Sequence, residues 1–113
     1  MGETAERVAQ RYRIARDDQD AWALRSHQRA AAARERGVFA AEITPVTAPS
    51  AAGPAATVCT DDAIRADTSL AKLGTLAPAF DPAGSVTAGN ACPTSDGAAA
   101  LLVASTPWWR RSA

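Results

Sequence analysis

Val86-Thr87-Ala88-Gly89-Asn90-Ala91-Cys92-Pro93-Thr94-Ser95-Asp96-Gly97-Ala98-Ala99-Ala100 is the stretch on which the reading of this chain turns. It opens on a β-type pair, passes through turn chemistry and enters a continuous small-apolar run, Ala98 to Ala104. That length suits a strand buried on both faces, although periodicity alone does not separate it from a buried helix. Gly89-Asn90 fits a turn that needs positive φ. Cys92 reads first as a small buried hydrophobe.

Working upstream, Thr68-Ser69 is placed to cap a short helix carrying Leu70, Leu73 and Leu76 and ended by Pro78. Ile43-Thr44-Pro45-Val46 and Thr57-Val58-Cys59-Thr60 are β-type runs separated by the turn-forming Ala48-Pro49-Ser50-Ala51-Ala52-Gly53-Pro54, so a hairpin is expected. Pro45 restricts its first strand to an edge or a start position. The first third reads as two helices. Thr4 to Arg13 sets Ala5, Val8, Ala9 and Tyr12 on one face. Asp17 to Arg36 carries Asp17, Asp18 and Asp20 at its start and Arg34 and Arg36 at its end, matching the macrodipole. Its weak apolar stripe is Ala21, Leu24, Gln28, Ala31 and Ala32, and Gly37 supplies a left-handed residue to close it. Ala15 stands where Ser or Thr would cap it, a loss of roughly 1 kcal/mol. The acidic cluster is a helix-start feature, and His27 is a surface helical residue.

Composition narrows the classes. The 113 residues carry 12 Lys+Arg against 12 Asp+Glu, which is no footprint for nucleic acid despite the local cluster Arg29, Arg34 and Arg36. Of the apolar residues 29 are Ala and only 17 are Leu, Ile, Val or Phe, fewer than the roughly one in five of ordinary globular chains. A marginal core follows. No run approaches the ~20 apolar residues of a membrane span. Met1-Gly2-Glu3-Thr4 is neither signal nor transit peptide, and Cys59 and Cys92 make no disulfide framework, so a cytoplasmic, reduced setting is expected. One histidine with no ligand spacing around it gives no metal site.

The segments also form a pattern. Met1-Gly2-x-Thr4-Ala5-Glu6-x-Val8-Ala9 precedes Arg16-Asp17-Asp18-Gln19-Asp20-Ala21-Trp22-Ala23-Leu24-Arg25-Ser26-His27-Gln28; then come Glu42-Ile43-x-Pro45-Val46, Asp61-Asp62-x-Ile64-Arg65-x-Asp67-Thr68 and Leu76-x-Pro78-Ala79-Phe80; Val86-Thr87-Ala88-Gly89-Asn90-Ala91 and Ser95-Asp96-Gly97-Ala98-Ala99-Ala100 close it. In this order and spacing, over about residues 1–105, the chain resembles the thiolases, the acetyl-CoA acyltransferases. The resemblance implies an α/β thiolase-like fold for the intact family. For this chain it implies an α+β internal fragment: 1–96 part of the helical, CoA-covering loop domain with its hairpin, 97–105 one strand of the N-terminal core, and 106–113 a tail without family counterpart. The tail, Thr106 to Ala113, is what a frameshift or gene truncation would leave.

The resemblance further implies acyl transfer of fatty acid metabolism, joining acyl-CoA and acetyl-CoA into 3-oxoacyl-CoA and CoA, or the reverse thiolysis, through an acyl-cysteine. The family's nucleophilic Cys lies upstream of the matched part, and its Gly-His-Pro histidine and Cys-x-Gly-Gly cysteine lie downstream. No catalytic residue is therefore assigned, and the chain alone is expected to be inactive. CoA contacts are implied at Met1 by the pantetheine channel, Arg65 at the adenosine diphosphate end, Phe80 in the cofactor groove, Ala88 flanking the pantetheine, and Cys92 where many relatives carry a hydrogen-bonding Ser. Arg65 also fits an ordinary solvated charge, and Phe80 a core anchor. CoA enters as substrate, with no permanently bound cofactor, and the intact family forms homo-oligomers. Two other readings stand beside this one: a non-catalytic remnant that folds only with a partner, and a small helical interaction module.

Overall fold

Helix-end chemistry sets the first third of the molecule. The structure, a computed structural model, describes residues 1–50 and 53–103. α1 runs Gly2–Tyr12 and α2 runs Arg16–Glu35, the first starting two residues before the expected span and the second one before. Past α2, Gly37 takes φ +70°. Its N–H donates to the Arg34 carbonyl (2.9 Å) and the Val38 N–H to that of Ala33 (3.1 Å), the paired bonds that satisfy terminal carbonyls at a left-handed stop. α1 ends in the same way on Arg13 (φ 54°), with Ile14 N–H donating to Ala9 O at 2.9 Å. There the left-handed residue carries a side chain, at a cost of roughly 1–2 kcal/mol. As expected, Ala15 starts α2 with no side-chain cap.

The buried faces match the apolar pattern only in part: Ala9 and Ala31 are buried as expected, but each helix also buries a carboxylate that the pattern did not include. On α1 the buried residues are Glu6 and Ala9, whereas Val8 and Tyr12 are exposed. On α2 they are Asp20 and Ala31, with Ala21 and Gln28 exposed and Leu24 half-buried. Trp22 lies 68% exposed on the outside, under the Arg25 guanidinium at 4.3 Å. Buried polar groups, which an apolar count ignores, orient both helices.

The hairpin forms, moved toward its tip. β1 (Val46–Ser50) pairs antiparallel with β2 (Gly53–Val58) in the register Val46↔Val58, Thr47↔Thr57, Ala48↔Ala56, Ser50↔Gly53. The Ala-Pro stretch expected as a turn is therefore mostly strand, and Ile43 to Pro45 is not. Pro49 and Pro54 sit where the register shifts between Ala48 and Ser50, the irregular position at which a missing amide is tolerated. All of β2 is exposed. Ala51 and Ala52 lie outside the described residues.

Ser69 caps α3 (Leu70–Gly74), its Oγ accepting from Lys72 N at 3.2 Å. This helix is shorter than expected: Leu76 and Pro78 lie beyond it. Val86-Thr87 is a single antiparallel bridge, Pro78↔Thr87, instead of a strand. The expected buried strand at Ala98 to Ala104 is not borne out over 98–103. Those residues have no regular structure, and Leu101, Leu102 and Val103 are exposed. A strand takes its backbone partners from neighbours, and among the described residues none pairs with this one. Ala104 and the 106–113 tail lie outside the described residues. Among the described residues the buried hydrophobic ones are Ala9, Ala31, Leu73 and Val86, and the chain exposes 9365 Å². A compact monomer of 11.7 kDa would expose about 5,900 Å². The marginal core read from composition is what the structure shows.

Supplying the missing cap is expected to help. Ala15→Ser should stabilise the chain by about 1 kcal/mol, read as a higher urea midpoint with an unchanged m-value.

Candidate functional site

The segment 85–92 is held from below by two buried carboxylates. Glu6 of α1 accepts from the Ser85 N–H (3.0 Å to each oxygen), the Val86 N–H (2.8 Å) and the Ser85 hydroxyl (3.3 Å). The backbone amides of Ser85 and then Val86 hold its pKa below the ordinary 4.5; burial opposes them and the Ser85 hydroxyl adds to them. Asp20 of α2 accepts from Arg16 Nε at 2.8 Å and from Asn90 Nδ2 at 3.0 Å. Arg16 also donates to the carbonyls of Leu73 (2.7 Å) and Leu76 (3.1 Å), tying α3 to α2. Gln19 donates to Ser85 Oγ at 2.8 Å.

Above this base the chain turns tightly. Asn90 Oδ1 accepts the Thr87 N–H at 2.7 Å, and its amide also donates to Ser85 O at 3.1 Å. Thr87, fully buried, accepts the Gly89 N–H on its hydroxyl at 3.1 Å. Every side-chain polar group of the clasp has a partner, as buried polar groups require. Gly89 does not take the expected positive φ; it allows a close approach instead, since a Cβ there would sit 2.5 Å from Leu73 Cδ2 and 2.6 Å from Leu76 Cδ1 and both leucine ends would have to shift.

The five positions expected to contact CoA fall into three places. Met1 is 95% exposed, and the Phe80 ring, half exposed, lies against Gly2 so closely that any Cβ on Gly2 would strike it. Phe80 also lines an open cavity of about 240 Å³ with Glu3, Glu6, Arg7, Gln10 and Asp81. Ala88 and Cys92 are both exposed, on and just after the turn; Cys92 is thus not the buried hydrophobe it first suggests. Arg65 stands apart, its backbone N–H donating to His27 Nδ1 at 3.2 Å and its guanidinium to the Asp62 carbonyl. His27, half-buried, therefore ties the 61–68 segment to α2 instead of being a plain surface residue. Cys59, exposed, borders a separate cavity of about 200 Å³ with Arg34, Phe39 and Ile64.

Sequence reading missed Glu6, Asp20 and Asn90 as a unit. Asp20 was visible as part of a helix-start cluster and Asn90 as a turn residue, but their partners lie 70 positions apart. The one signal available was an acidic residue on the inner face of each helix.

Comparison with known proteins gives a consistent picture. A family model described as "Thiolase, N-terminal domain" matches residues 1–107. The beta-ketoadipyl-CoA thiolase of Acinetobacter baylyi is 50% identical over 105 residues, which cover 93% of this chain and 26% of that protein. The acetyl-CoA acetyltransferase of Chromobacterium violaceum is 50% identical over 106 residues, 94% of this chain and 27% of that one. The crystal structure of the Bacillus anthracis acetyl-CoA acetyltransferase superposes with a TM-score of 0.74 at 46% identity, covering 80% of this chain and 23% of its own. The chain thus spans about a quarter of the length of the curated relatives it matches.

Two measurements test the clasp. Because the folded pKa of Glu6 is depressed, its contribution to stability is present above the unfolded value and lost as pH falls through the folded one. Acidification below about pH 4.5 should lower the melting temperature, and Glu6→Gln should remove part of that dependence. Asp20→Ala, which strips Arg16 and Asn90 of one acceptor each, should destabilise by about 2 kcal/mol in a denaturant titration.

Proposed function

The chain belongs to the thiolase family, and from that premise we propose that it provides part of the surface holding the CoA moiety in a thiolase-type acyltransferase. The observation that carries this reading is the presentation of the turn. Ala88 and Cys92 face outward on a segment whose inner side is locked by Glu6 and Asp20, while Phe80 offers half its ring beside Gly2 and the exposed Met1. Small side chains at Ala88 and Cys92 let an extended pantetheine lie close to the backbone. Phe80 gives it an apolar wall, and Arg65 supplies a cation for a phosphate some distance away. The Cys92 thiol is a weaker donor than a hydroxyl, so its contact with the pantetheine amides contributes little.

By itself the chain is read as inert in the reaction between acyl-CoA and acetyl-CoA. Acyl transfer needs a thiolate with a base beside it. Cys59 and Cys92 stand in different places, and the Nδ1 of the only histidine is engaged by the Arg65 amide. A second reading, a remnant that reaches its stable form only against another chain, is favoured by one observation: the exposed apolar run Leu101-Leu102-Val103. An exposed patch of that kind marks an interaction surface more often than a free one.

Thermal melts with and without CoA test the first reading. A saturable rise in melting temperature with CoA is expected, since a ligand bound only to the native state stabilises it. Arg65→Glu should shrink that rise, more so at low salt. No rise at millimolar CoA overturns the assignment, and thiolysis by the purified 113-residue chain overturns its inactivity.

A further inference from the structure

We propose that Asn90, braced by Asp20, is a positioning residue that holds the turn carrying Ala88 and Cys92 in its ligand-ready shape. The proposal rests on the CoA reading above and deepens it. Among the described residues, Asn90 is the one side chain hydrogen-bonded to both the turn and its base. Its Oδ1 takes the Thr87 N–H at 2.7 Å, fixing the entry to the turn. Its Nδ2 donates to Ser85 O at 3.1 Å and to Asp20 Oδ1 at 3.0 Å, fixing the turn against α2. An amide is the side chain that does this: one acceptor faces up, two donor hydrogens face down, and all three are used. Asp20 cannot rotate away, because its other oxygen is held by Arg16 Nε at 2.8 Å. Glu6 secures the preceding two amides independently, at 2.8–3.0 Å. Loss of Asn90 should therefore free the outer turn while leaving its base in place. Ala88 and Cys92 themselves need no part in the network, so the turn is ordered before any ligand arrives. Pre-ordering lowers the cost of binding.

The test uses the whole 113-residue chain, CoA itself as probe, and two readouts. Asn90→Ala should weaken CoA binding about tenfold by calorimetry and speed amide exchange at Thr87 and Gly89 about tenfold, with Ser85 and Val86 protected as before. Ser69→Ala, which removes only the α3 cap, is the control for a general loss of stability and should leave both readouts within about twofold. If Asn90→Ala does not fold, Asn90→Ser takes its place: its hydroxyl can still accept from Thr87 N but does not bridge to Asp20. Equal effects of the Asn90 and Ser69 variants, or unchanged exchange at Thr87 and Gly89, overturn the proposal. If the native chain binds no CoA, the CoA reading fails on its own, and the positioning role stands or falls on the exchange data.

Discussion

The capture of the Ser85 and Val86 amides by the Glu6 carboxylate is the contact on which the rest of the described structure hangs. It joins positions 79 and 80 residues apart and brings the 85–92 segment onto α1. Once there, Gln19, Asp20 and Arg16 extend the same network to α2 and α3. Among the described residues the buried hydrophobic ones are few and two of the four are alanines, so direction and register come from hydrogen bonds. Such a network is demanding: fully satisfied it defines one geometry, and partly satisfied it is worse than an apolar core. Here the buried side-chain nitrogens and oxygens of the described residues all have partners.

How much of this was legible in the sequence depends on the range of the forces involved. Helix ends are set by a few neighbouring residues, and the signals at Ala15, Gly37 and Ser69 were all read correctly. The hairpin was legible in kind but not in place. Alanine and proline propensities argued for a long turn, whereas pairing of Thr47 with Thr57 and Ala48 with Ala56 carried the ladder outward. The run at 98–103 misled because its composition reports an environment that the described residues do not provide. The clasp escaped for the opposite reason: its one local signal was an acidic residue on the inner face of each helix, and the partners that make those residues acceptors lie 70 to 80 positions away. Of the five expected contact positions, four sit around the clasped segment and α1 while Arg65 stands off with His27, a division that no local pattern of residues encodes.

Membership in the thiolase family gives these observations a frame. The chain reproduces about a quarter of its relatives' length with a recognisable fold, TM-score 0.74 against one solved acetyltransferase. What it holds together is a pair of helices and a braced turn, with a good deal of apolar surface left uncovered. The order is concentrated where polar partners are complete, and it thins toward 98–103.

The β-ribbon has a consequence of another kind. No described helix packs on it, and β2 is exposed along its whole length. A projection held only by its own ladder can lengthen, shorten or change composition without disturbing the clasp, because no interior contact depends on it. Its two prolines at the register shift also spoil that part of each outer edge as a template for a further strand. The ribbon is thus the part of the chain most open to variation and the natural place to insert a reporter or an affinity tag.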